Sequence, residues 1–152
     1  MDSSLVLDTN IKENLDVSPH LPVYTKVLNN LKAISLKIKN NLVKECMIEN
    51  RLSSKLLESN QFECHGYAWF ETYRVSLEQM LNWYLTLEKN SKHSKLDGLV
   101  LASAFSEYSL QMRDGIMMSQ SEIVRPVEDL NVESKEFDFL SDNDVIIAIK
   151  FG

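Results

Sequence analysis

At 152 residues, with 44% hydrophobic and 25% charged residues, the chain is the size of one domain and has the balance of an ordinary water-soluble fold, which excludes wholesale disorder. A formal net charge of -6 argues against a dedicated nucleic-acid binder, because such proteins gather Lys and Arg on one face to neutralise phosphates. No stretch approaches the roughly 20 apolar residues needed to cross a bilayer, so no membrane span is expected.

Residues 1–22 read as a leader. The stretch from Met1 to Thr9 has neither the basic start nor the apolar core of a signal peptide, so a cytoplasmic location is expected. Cys46 and Cys64 accordingly read as reduced thiols rather than a structural disulfide. Pro19 and Pro22 mark the passage into the first helix, since proline is tolerated at helix starts. From Val23 to Gln61 there is no glycine or proline. Leu28, Leu31, Ile34, Ile38 and Leu42 recur at steps of three and four, one apolar stripe on a helix, which Ile48, Leu52 and Leu56 continue. An unbroken helix of about 36 residues would span roughly 54 Å, so either Ser53 and Ser54 interrupt it or the bundle is elongated.

A second helix is expected from about residue 62 to 89, with Trp69, Tyr73, Leu77, Met80, Tyr84 and Leu87 on its stripe. Gly66 inside it marks either close packing of a neighbouring helix, the preferred reading, or a bend. The polar run Lys89 to Lys95 is a connector between antiparallel helices. Leu101, Phe105, Tyr108 and Met112 define a third helix, capped by Gly115 in the left-handed conformation. A structured loop or short helical turn follows, ending at Pro126. The segment 127–152 is a tail or the start of a following element, in which Val145 to Ile149 is either a helix start or a strand. The expected fold is thus all-α, an up-and-down bundle of three to four long helices over residues 23–126.

No catalytic or metal site emerges from the residues. His20 and His93 lie in loop-like stretches, and His65 has beside it only Cys64, which points about 100° away on a helix. There is no Glu-x-x-His, Gly-x-Gly-x-x-Gly, Walker loop or Gly-x-Ser-x-Gly. The carboxylates Glu71, Glu107 and Glu122 are expected to be solvated or paired with Arg74 or Arg113. Most of the aromatics are expected in the core. Phe70 and Trp83 point off the main stripe and are candidates for a subunit contact. With Trp69 and the loop residues Met118, Gln120, Glu122 and Arg125 they form a candidate interface, and a homo-oligomer is expected.

Two strings, HGYAWFETYRVSLEQMLNW at 65–83 and AFSEYSLQMRDGIMMSQSEIVRP at 104–126, resemble in order the N-terminal helical extension of bacterial acyl-CoA dehydrogenase-like flavoproteins. The loop departs from that pattern, reading DGIMMSQ where GGIPMSQ would be expected. The resemblance implies an oxidoreductase context in which a full-length relative uses FAD to oxidise an acyl-CoA thioester. The flavin and substrate segments would then lie beyond residue 152. No catalytic or cofactor-binding residue is carried onto this chain, and a flavin domain, in cis or in trans, becomes the expected partner. The alternative is a free-standing helical module for homodimerisation or protein interaction.

Overall fold

A computed structural model describes residues 16–149. The expectations for residues 1–15 and 150–152 lie outside the described residues. The fold is an all-α bundle: α1 (Leu21–Cys46), α3 (Gln61–Lys89) and α4 (Lys95–Asp114) are its long members, joined by the short helices α2 (Ser54–Ser59), α5 (Pro126–Asp129) and α6 (Asn143–Ile149). Two hairpins of paired dipeptides interrupt it, β1 (Met47–Ile48) with β2 (Arg51–Leu52) and β3 (Ile116–Met117) with β4 (Ile123–Val124).

The expected stripe of α1 is in the core: Leu28, Leu31, Ile34, Ile38 and Leu42 are all buried. The helix stops at Cys46, however, earlier than either sequence alternative placed the break. Glu49 and Asn50 adopt φ of 49° and 60°, and Ile48 pairs with Arg51 across them, which makes a two-residue turn of the kind whose twist matches antiparallel strands. Ile48 and Leu52 therefore leave the stripe and are exposed. Ser53 acts one step later, accepting a hydrogen bond from the Leu56 N–H as the N-cap of α2. A 26-residue α1 is about 39 Å long, a length that removes the need for an elongated bundle.

Antiparallel order follows from cross-helix pairs. Ser35 of α1 meets Glu71 of α3 while Cys46 meets Cys64, so α1 and α3 run in opposite directions. Tyr73 stacks on Tyr108 of α4 with ring centroids 4.6 Å apart, and α4 reverses again after the short Lys89–Lys95 connector. Its start is a capping box in which Ser94 and Asp97 satisfy each other's backbone N–H groups. Ser94→Ala is expected to lower stability by about 1 kcal/mol, measured by urea denaturation; no change in midpoint would show that the box contributes nothing.

Val145 to Ile149 is helical, as part of α6, which packs on both α1 and α4. Tyr24 ties these three together: its ring stacks on Phe105 at 4.4 Å and its hydroxyl donates to the Ala148 carbonyl at 3.0 Å. Burial pushes the Tyr24 phenol up to about 12, with Tyr84 adding to the effect, so it remains a donor at any ordinary pH. Outside this joint, Lys26 bridges to Asp142 and Asp144, and Lys37 to Glu133 and Glu136, fastening the acidic 3-10 stretch Ser134–Ser141 and the start of α6 to the polar edge of α1.

Candidate functional site

The β3–β4 hairpin and the first turns of α3 form the best-defined composite surface. Gly115 ends α4 with φ 151° and ψ 129°, an extended positive-φ conformation rather than the expected left-handed cap. It sends the chain straight into β3. Alternation then divides the hairpin's apolar residues: Ile116, Met118 and Val124 are buried, while Met117 is 62% and Ile123 39% exposed. Val124 lies over Gly66, where an added Cβ would stand 2.5 Å from its Cγ2. The close packing expected at Gly66 is present, but a strand of the hairpin makes it and not the neighbouring helix that was expected. That contact seats β4 against α3 and leaves Met117 and Ile123 facing outward.

Around this contact lies a cleft of about 420 Å³ lined by Glu58, Ser59, Gln61, Phe62, His65 and Glu122. His65 Nε2 accepts a hydrogen bond from Trp69 Nε1 at 3.0 Å. Trp69 in turn packs edge-on against Tyr73, centroids 6.1 Å apart, beginning an aromatic ladder that continues to Tyr108. Glu122 approaches the Ser119 hydroxyl at 3.3 Å across the hairpin loop. Arg125 is exposed and reaches Glu128 only at 4.0 Å, while its backbone N–H donates to Asp129 at 2.6 Å.

The structure brings some of the candidate interface residues together and separates others. Glu122, with its neighbours Gln120 and Arg125, occupies the exposed hairpin and its exit, and Trp69 lies half-buried one turn along α3 from His65. Met118 is 8% exposed and faces inward, so its neighbour Met117 is the methionine this surface presents. Phe70 is a correction. It is fully buried, on the buried face of α3 with Gly66, Arg74, Leu77, Leu81 and Tyr84, whereas Trp69, Tyr73 and Met80 of the expected stripe lie at the flank of that face and are partly buried. Trp83 is 41% exposed but lies 17 residues beyond Gly66, about 25 Å along the helix, and does not join the hairpin surface.

A second polar cluster has a structural character. Arg74, 8% exposed, forks onto Glu71 at 2.9 and 2.7 Å and reaches Glu78 at 2.9 Å, while the Ser35 hydroxyl donates to Glu71 from α1. The expected pairing of Glu71 with Arg74 is therefore present. Arg113 pairs instead with Asp114, and Glu107 accepts from Gln111. The Arg74 guanidinium holds the Glu71 carboxyl below its ordinary value, with partial burial opposing and Ser35 assisting. Since the folded-state value is depressed, the stabilisation is present above the unfolded value and lost as pH falls through the folded one. Glu71→Gln is expected to lower the thermal midpoint at neutral pH, the gap to wild type closing progressively as pH falls through the acid range. Parallel melting curves from pH 3 to 7 check this; a gap independent of pH would contradict it.

Among the described residues no three His, Cys, Asp or Glu side chains converge as metal ligands, and no helix is long and apolar enough to cross a membrane. No family model matches the chain. It is 35% identical over 113 residues, 74% of its length, to a (2S)-methylsuccinyl-CoA dehydrogenase from Cereibacter sphaeroides, and spans 20% of that protein. With two of its segments already resembling an acyl-CoA dehydrogenase-like extension, this match relates the chain to the acyl-CoA dehydrogenase family through a helical segment equivalent to a fifth of one member.

Proposed function

We propose that this chain is a non-catalytic helical module of an acyl-CoA dehydrogenase-like flavoprotein, acting in assembly with a flavin-binding portion that carries FAD and the chemistry. The observation that carries this reading is the sequence match to a fifth of a dehydrogenase. Its support in the fold is a self-contained core beside a hairpin whose outward residues are apolar. Met117 and Ile123, with Phe62 across the cleft, offer a partner a hydrophobic centre, and Gln120, Glu122 and Arg125 give it a polar rim, the usual anatomy of a protein contact. On this reading His65 and Glu122 serve recognition, and acyl-CoA is handled by the partner.

A graft tests the assignment. Replacing the matched segment of the (2S)-methylsuccinyl-CoA dehydrogenase by this chain is expected to give an assembled protein that retains its flavin. A graft in which the helical module folds, by circular dichroism, while the protein fails to assemble or hold flavin overturns the proposal.

A further inference from the structure

At the opposite edge of α3, its first turn meets the end of α1 through two thiols. Cys46 and Cys64 are both free, and their sulfurs stand 3.9 Å apart. They share an open groove of about 220 Å³ with Lys39, Leu42, Val43, Leu52, Leu57 and Tyr67. Cys46 is 3% exposed, whereas Cys64 is half-buried and is the thiol a reagent in the groove meets first. A disulfide needs about 2 Å between sulfurs, a closure within reach of side-chain rotation for groups already in contact and with open space beside them. The segment it would close contains the β1–β2 hairpin and α2, the two shortest-range elements between the long helices.

We infer that Cys46 and Cys64 form a reversible dithiol–disulfide site, oxidised by exchange with a small uncharged disulfide that enters the apolar groove. The Cys64 thiolate attacks one sulfur of the reagent, breaking its S–S bond and releasing one thiol. Cys46 then attacks the Cys64 sulfur of the mixed disulfide, forming the internal bond and releasing the second thiol. Two protein thiols are oxidised, one reagent disulfide is reduced, and both protons leave on the released thiols. Burial, the Cys46 contact and the nearby Glu63 and Glu45 carboxylates raise Cys64 to about 11, so its thiolate fraction is small at neutral pH and the first step is slow. The second is favoured by contact. Closure ties the end of α1 covalently to the start of α3 beside the groove.

The test treats the full chain with 2-hydroxyethyl disulfide and follows intact mass, peptide mapping and melting. The expected product is monomeric, lighter than the reduced chain by two hydrogen atoms, linked between Cys46 and Cys64, and higher in thermal midpoint by roughly 5–10 °C. Dithiothreitol restores the starting mass and midpoint. Cys46→Ser is expected to stop at a mixed disulfide on Cys64, and Cys64→Ser, which leaves only the buried Cys46, to react far more slowly. The inference is overturned if the wild-type chain stops at a stable mixed disulfide, cross-links to a second chain, or melts lower when oxidised; these readouts need no variant to fold.

Discussion

Phe105→Ala is expected to lower stability by about 3–5 kcal/mol, the largest loss from any single truncation in the described core. Phe105 is fully buried and its ring is the stacking partner of Tyr24, whose hydroxyl holds the last turn of α6. Removing the ring leaves a cavity where α1 and α4 meet and frees Tyr24 to tilt away from the Ala148 carbonyl. The loss therefore exceeds the transfer term of one side chain, and α6 should loosen before the α1–α3 contact does. At this chain length the thermal midpoint falls by roughly 6–20 °C. Denaturant unfolding measures the loss, and hydrogen exchange reports the order of opening. A loss below about 1 kcal/mol would mean that the joint repacks.

The second large effect comes from Gly66→Leu. Even the Cβ of a substitute stands within 2.5 Å of Val124 Cγ2, and the leucine branch has to displace β4. Overpacking of this kind costs about 1–3 kcal/mol, occasionally more, while removing glycine from a helix interior returns up to about 1 kcal/mol. A net loss of about 2 kcal/mol is expected, with a larger effect on partner binding because Met117 and Ile123 move with the hairpin. Val124→Ala paired with Gly66→Ala removes the closest clash and should melt above Gly66→Ala alone. Wild-type stability in Gly66→Leu would show that β4 is not seated on this glycine.

The parts of this fold that follow from periodic burial were open to inspection in the sequence. Leu28 through Leu42 lie on one helical face because the rest of the bundle, α3 foremost, covers that side of α1, and the Lys89–Lys95 connector separates two periodic runs cleanly. The end of α1 was hidden for a physical reason: Ile48 and Leu52 keep helical spacing, and the turn that removes them rests on positive φ at Glu49 and Asn50, where no glycine announces it. Phe70 lies in the core because the buried row of α3 runs through Gly66, Phe70, Leu77, Leu81 and Tyr84, rotated from the neighbouring row of Trp69, Tyr73 and Met80 that aromatic spacing picks out. The hairpin surface was half visible. Gly66 signals close approach, but without a strand at Ile116 and Met117 there was no alternation to tell Met117, facing out, from Met118, facing in. The cysteine contact joins residues on two helices, a pairing that spacing along one chain does not encode.

The central claim, that the hairpin face docks a flavin-binding partner, is tested most directly by hydrogen exchange on this chain with and without the remainder of the dehydrogenase it matches, that protein's own matched segment removed. The predicted result is a complex in which residues 116–125 and the first turns of α3 gain protection, and which Met117→Asp abolishes without changing the melting midpoint. No complex at tens of micromolar concentration, or protection elsewhere with the hairpin unchanged, would contradict it.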